Sequence, residues 1–331
     1  MKRLAKLWKI IEKNNADIDS IFLPNSPDEN FGYMTGLEGG FEGCFAILRK
    51  RKIDVFVNEL EYEGAKKYVA NPKIVHKRSE RLEIIKNAAT GSKIGVVADK
   101  LSYASAKRLE YLGIKLVDVS KFFDECRMIK DNDEIKKIDR AVEITKNALE
   151  TIETLPSNES ELAAKIEYEF RKSGCTTAFP TICAADKNSA VPHYSTGFDR
   201  INGMVLVDFG ARFQGYCADI TRCIFKKRTA WFGETEKKVL KAHDKCVDIA
   251  RNSGTGFEMQ KSAQAILGKR FMHSIGHFLG RDVHENSLSN FKKPFEPGMV
   301  FTIEPGLYDI RHGGIRIEND FLVTKNGVKE F

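Results

Sequence analysis

The stretch HSIGHFLGRDVHE, residues 273–285, holds three of the chain's seven histidines, His273, His277 and His284. Neutral imidazoles bind metals, shuttle protons and donate hydrogen bonds, so a cluster of them points to metal or acid–base chemistry. The four-residue step from His273 to His277 would put two ligands on one helix face. Gly276, Gly280 and the alternating apolar residues between them predict extended chain instead.

Carboxylates flank this stretch in a repeated pattern. GMVLVDFGARFQGYCADITRCI (203–224) and GMVFTIEPGLYDIRHGGIRIENDFLV (298–323) both open Gly-Met-Val and continue apolar. Each then reaches an acid with a glycine close behind, turns, and returns to a second acid. Read as hairpins, a turn between Phe213 and Gln214 sets Asp208 opposite Asp219, and a turn on Arg311 sets Glu304 opposite Glu318. Directly opposed side chains stand about 4.5–5.5 Å apart at Cβ, so each pair would repel unless a cation sat between. Four carboxylates carry −4 and two divalent cations +4. A set of oxygens with one imidazole suits manganese, cobalt, iron or zinc. A sulfur-rich structural zinc site would need cysteine pairs, and none of the seven cysteines forms a CxxC. Cys217 is expected to pack in the core. The odd cysteine count reads as reduced thiols and predicts a cytoplasmic protein.

The elements that position these residues fall into two parts. At 331 residues and 42% hydrophobic, the chain is long enough for two domains with substantial cores. The first part alternates. A helix at about 4–15 precedes DSIFLP. A strand pair, GCFAILRKRKIDVFV, turns on its basic middle. Helical patterns at 59–70 and 79–89 precede the strand KIGVVAD, a helix at 101–112 and the strand IKLVDV. This is an α/β layout with no phosphate loop. A boundary near 126–130 separates residues 1–126 from 127–331. Beyond it, Asp131 or Asn132 caps a long helix. A second helix stops at Gly174, and a third covers about 234–252. The two carboxylate motifs imply an internally duplicated domain, each half holding helices and a β-hairpin. GTGFEMQKSAQAILGKRF (254–271) is shorter than a complete helix and approach strand would need, so a loop is missing or the helix is trimmed.

Composition excludes other classes. No apolar run reaches the ~20 residues of a membrane span. The basic N-terminus MKRLAKLWKIIEKNNAD has helical spacing and reads as a surface helix, not a signal peptide. Lys and Arg exceed Asp and Glu by 53 to 46, scattered along the chain, so no nucleic-acid surface is expected.

VDFGARFQGYCADITR, HSIGHFLGRDVHE, MVFTIEPGLY and GGIRIEND, in that order, resemble the signature of the pita-bread metallopeptidases over about 127–331. PNSPDENFGYMTGL and the strand pair after it resemble the creatinase-type N-terminal domain of the proline-directed members, prolidase and aminopeptidase P. The implied fold is a creatinase-like α/β domain followed by a pita-bread α+β domain with internal pseudo-twofold duplication. The resemblance implies two divalent metal ions, manganese or cobalt before zinc or iron, on Asp208, Asp219, His277, Glu304 and Glu318. Asp219 and Glu318 would bridge, Asp208 would complete one site, and His277 with Glu304 the other. It further implies a metal-bridging hydroxide as nucleophile, with Glu304 carrying the proton. His193, in SAVPHYSTG, and His284 would contact the reacting carbonyl or leaving side. His273 would line the pocket after the scissile bond, and Arg316 would orient the carboxylates. His76, His243 and His312 are expected on the surface without a role.

The implied activity is metal-dependent hydrolysis of Xaa-Pro peptide bonds, as an Xaa-Pro dipeptidase or aminopeptidase, and the resemblance to the proline-directed members implies a homodimer. A general aminopeptidase of the same fold, and a non-catalytic pita-bread binding protein, are the alternatives. Dipeptidases of the group often carry an arginine four residues after the position of His284. Here that residue is Leu288, and Arg281 or Arg311 could take its place.

Overall fold

Near-continuous apolar runs in SIFLP, FAILR and KIDVFV build the centre of a six-stranded sheet buried on both faces. The computed structural model describes residues 2–24, 29–89, 91 and 93–331. Part of the PNSPDENF stretch, residues 25–28, lies outside the described residues. The chain divides into two compact units, Met1–Arg127 and Met128–Phe331.

The first unit runs α1 (Lys2–Lys13), β1 (Ser20–Pro24), α2 (Glu29–Thr35), β2 (Phe45–Arg49), β3 (Lys52–Val57), α3 (Glu59–Ala65), β4 (Lys73–Ile74), α4 (Arg78–Ala88), β5 (Lys93–Val96), α5 (Tyr103–Tyr111), β6 (Lys115–Asp118) and α6 (Ser120–Met128). The sheet order is β4-β3-β2-β1-β5-β6. Alternation sends Ile21, Leu23, Ala46, Leu48, Val55 and Val57 to one core. Phe22, Phe45, Ile47, Phe56, Ile94 and Val96 face the other. Each fully buried Leu, Ile or Phe contributes roughly 1.5–3 kcal/mol. The strands of the pair meet at Arg49↔Lys52, so the basic turn is Lys50-Arg51, as expected.

The second unit opens with α7 (Asn132–Glu150) and α8 (Glu159–Lys172), then β7 (Thr176–Thr177), β8 (Ile182–Ala185), β9 (Met204–Phe209), β10 (Ala211–Phe213), β11 (Tyr216–Cys217) and β12 (Ile220–Phe225). Asp131, not Asn132, caps α7, in a capping box with Glu134. Gly174, at φ +74°, follows the end of α8. The unit continues with α9 (Ala230–Arg251), α10 (Gly256–Leu267), β13 (His277–Phe278), β14 (Asn286–Ser287), β15 (Val300–Ile303), β16 (Gly306–Asp309), β17 (Gly313–Arg316), β18 (Asn319–Thr324) and β19 (Gly327–Glu330). Residues of α7 and α8 pack with the β8-β9-β12 sheet in one core. Residues of α9 and α10 pack with β13, β15 and β18 in the other. This is the two-fold repetition read from the paired motifs.

Two expectations are corrected. The 254–271 stretch still holds a 12-residue helix, α10, opened by a Thr255–Glu258 capping box, although, as expected, no strand follows it within the stretch. The register of the first hairpin also differs. Pairing of Phe213↔Tyr216 centres the turn on Gln214-Gly215, both at positive φ (+48° and +81°). A turn on Phe213-Gln214 would have forced an aromatic residue into the left-handed region that Gly215 occupies cheaply. Asp208 therefore faces Thr221. Asp219 comes level with Gly210, as the Ala218 N–H to Ala211 O bond (3.0 Å) marks. The second hairpin keeps the expected register. Ile303↔Asn319 and Gly306↔Arg316 bracket Glu304 and Glu318 and leave them level.

Candidate metal centre

A cleft of about 830 Å³ opens in the second unit, and Asp208, Asp219, His277, Glu304 and Glu318 all line it. Each sits at or just beyond a strand end: Asp208 on β9, Asp219 before β12, His277 on β13, Glu304 after β15 and Glu318 before β18. Gly210 lets the strands close here, because a Cβ on it would stand 1.8 Å from the Ala218 carbonyl oxygen. The two hairpins join through the Glu318 N–H, which donates to Thr221 O at 3.3 Å.

The donor atoms converge. Asp208, Asp219 and Glu318 can bring ligand atoms within 4.8 Å of one another, and so can His277, Glu304 and Glu318. Asp219, His277 and His284 form a third such group. His277 Nε2 lies 3.4 Å from Asp219 Oδ2 and 3.6 Å from Glu304 Oε1. The buried Oδ1 atoms of Asp208 and Asp219 have no hydrogen-bond partner. Buried orphaned acceptors are costly, and both belong to carboxylates that crowd together with Glu318.

Electrostatics carry the same message. Burial, then the charges of Glu318 and Asp208, push the Asp219 carboxyl well up. Burial and Glu304 do the same to Glu318. Burial raises Glu304 to about 8, although Arg316 opposes it. Burial lowers His277 to about 3 and His273 to about 4. These two imidazoles are thus neutral, and the single guanidinium of Arg316 stands against four carboxylates. A divalent cation would supply the missing charge and reverse the shifts.

Arg316 is buried beneath the acids. Its Nη2 donates to Asp208 Oδ2 at 2.6 Å, its Nε to Thr221 Oγ1 at 3.0 Å, and its Nη1 to Tyr308 Oη at 2.9 Å. Thr221 in turn donates to Glu318 Oε2 at 2.7 Å. His193, His273 and His284 also line the cleft. The His273 ring bonds to Tyr308 Oη at 2.8 Å, and the rings of His277 and His284 lie 4.2 Å apart between centroids.

Three contributors escaped the sequence reading: Thr221, Tyr308 and Asp320. Asp320 is buried and accepts the Asp219 N–H at 3.0 Å. Strand parity could have found two of them, since Thr221 shares a face with Asp219, and Tyr308 with Glu304. His243 corrects the expected surface position. It is buried and packs on Phe321, ring centroids 5.9 Å apart. His76 is exposed, and His312 stacks on Trp231 at 5.1 Å. None of the seven cysteines forms a disulfide, and Cys217 is buried with its Sγ donating to Arg281 O at 3.3 Å.

Residues 136–325 match the model of metallopeptidase family M24, and residues 3–129 match the creatinase/prolidase N-terminal domain. The chain is 33% identical to the Xaa-Pro dipeptidase of Pyrococcus furiosus, over 99% of this chain and 97% of the relative. The prolidase structure from Pyrococcus horikoshii OT3 superposes with a TM-score of 0.90 at 32% identity, covering 100% of this chain and 97% of the other. The X-Pro aminopeptidase structure from Thermotoga maritima superposes with a TM-score of 0.85 at 28% identity, covering 96% of each chain.

Proposed function

The chain belongs to metallopeptidase family M24, with a creatinase/prolidase-type N-terminal domain, and from that premise we propose that it hydrolyses Xaa-Pro peptide bonds as a metal-dependent exopeptidase. The observation that carries this reading is the convergence of five ligand side chains, two with orphaned buried oxygens, in one cleft.

Asp219 and Glu318 would hold both of two divalent cations, Asp208 one, and His277 with Glu304 the other. When bound, these ions supply the Lewis acidity that lowers the pKa of water and polarises the scissile carbonyl. Arg316 holds Asp208 in orientation from below, and Thr221 holds Glu318. Glu304 directs Oε1 toward His277 and Oε2 toward His273, 3.5 Å away. Oε2 is therefore the atom to take a proton from water and return it to the leaving nitrogen. His193 and His284 bind the substrate carbonyl side, and His273 lines the pocket beyond the scissile bond. The Xaa-Pro amide has no N–H, and none of these contacts requires one.

The length of the peptide follows from what surrounds the cleft. Leu288 is fully buried, with its Cβ 3.0 Å from where a Gly256 Cβ would stand. Arg281 is buried over the Tyr216 ring, 5.3 Å to the centroid, and Arg311 sits in the hairpin loop beside Asp309. Neither arginine lines the cleft among the described residues. This leaves a free substrate carboxylate without either arginine, whereas the relatives that match over the whole chain are Xaa-Pro dipeptidases and prolidases and support the dipeptidase form; a panel of peptide lengths separates the two.

The reading places the catalytic work in residues 127–331 and makes residues 1–126 the creatinase-like partner domain. It includes manganese or cobalt as metal, a homodimer and a cytoplasmic location. No described helix is long and apolar enough to cross a membrane. The test is a panel of Xaa-Pro peptides of two to five residues, with Xaa-Ala controls, under manganese and cobalt. Equal turnover of Xaa-Ala would support a general aminopeptidase. No turnover and no metal uptake would leave a binding protein.

A further inference from the structure

Glu159 is a buried carboxylate that the peptide chemistry does not use. It opens α8, is fully buried, and forms no ion pair among the described residues. Four hydrogen-bond donors surround it instead. Oε1 accepts from the Ala185 N–H at 2.7 Å and from Asn188 Nδ2 at 2.9 Å. Oε2 accepts from the Gly197 N–H at 3.0 Å and from Tyr194 Oη at 3.1 Å. Polar groups are costly to bury without partners, and a fully satisfied network fixes one arrangement of the chain around it.

Three of those donors, Asn188, Tyr194 and Gly197, belong to the segment between β8 and β9 that carries His193 into the cleft. Its regular structure is a single 3₁₀ turn, Asp186–Ala190, so no backbone ladder holds the part around His193. The same end of α8 also fastens the segment's far side, where the Glu159 N–H donates to Asp199 O at 3.1 Å. Glu159 itself does not line the cleft.

We propose that Glu159 is a positioning residue for His193: its carboxylate ties the start and middle of the segment to the end of α8, its N–H ties Asp199, and together they set where that imidazole stands. The proposal rests on the reading that His193 acts on the substrate.

The test is a double-mutant cycle on the metal-loaded, full-length protein, with metal content measured for every variant. Glu159→Gln keeps the side-chain volume but turns one accepting oxygen into a donor that faces two donors. It should lower kcat/KM about tenfold, the scale of one lost charge-assisted hydrogen bond, with metal content unchanged. In a His193→Ala background the same change should cost less than about twofold, because its effect passes through a side chain already removed. Equal losses in both backgrounds, or loss of metal, would overturn the proposal and leave the role of His193 standing. Full turnover by His193→Ala would overturn the role of His193 and the proposal with it. If Glu159→Gln does not fold, Tyr194→Phe removes one donor with the ring retained, and the same criteria apply.

Discussion

Arg316 and Asp208 form a buried pair at the base of the cleft, Nη2 to Oδ2 at 2.6 Å, with side chains 4% and 13% exposed. The guanidinium also reaches Thr221, Tyr308 and the Pro192 carbonyl, so one planar fork serves four partners. Lysine offers a single point charge and cannot reproduce that geometry. Arg316→Lys should therefore weaken metal binding by roughly 10–100-fold, the range for groups that orient ligands. Titration of the metal-free protein with manganese, followed by calorimetry, checks this.

His277 and His284 are close in space but differ in burial: His277 is buried and His284 exposed. His277→Ala should lower metal content per chain. His284→Ala should retain the metal and lose turnover by about 10²–10⁴-fold, the span of a group acting on the reacting atoms. Elemental analysis beside kinetics separates them, and equal metal loss in both variants contradicts the division of roles.

Removing metal should make stability depend on pH. The Glu304 carboxyl is raised to about 8 in the folded chain, against about 4.3 in an unfolded one. Between those values the folded state holds the extra proton, so stability falls as pH rises through the window. The slope approaches ~1.4 kcal/mol per pH unit for one such group. Asp219 and Glu318, also raised, act in the same direction. Thermal unfolding of chelator-treated and metal-loaded protein from pH 5 to 8 should show the gap in Tm widening upward.

Gly210 holds the strands around Asp219 at backbone-contact distance. In Gly210→Ala the new methyl meets the Ala218 carbonyl, and relief requires the strands to part. We expect a loss of roughly 1–3 kcal/mol, the usual range for overpacking, together with weaker metal binding. Denaturant unfolding and metal titration measure the two effects. A variant as stable and as tightly metal-binding as the parent would refute the close approach.

The residue types and their order carried much of this molecule. Short apolar runs marked the strands of both units, and the matched Gly-Met-Val motifs marked the duplication. A turn centred on Arg311 set Glu304 level with Glu318, because one hairpin's register is a local matter. The first hairpin shows the limit of the same reasoning. Its register followed the two left-handed residues Gln214 and Gly215, a conformational demand that apolar spacing does not display. The shortness of the α10 segment predicts a trimmed helix, yet Met259, Ala263 and Leu267 recur at helical spacing behind a Thr255–Glu258 capping box.

The order of residue types shows the chemistry on offer: carboxylates and imidazoles in duplicated strands. Which of them meet is settled by how the strands pack. The folded chain brings Thr221 to Glu318 and Arg316 to Asp208, and it ties the His193 segment to Glu159. Those contacts join residues far apart in the chain, and they arise from the packing of one hairpin on another and of a helix end on a loop. No periodicity within a single element encodes such a meeting, because period 2 or 3.6 specifies a face and not its partner.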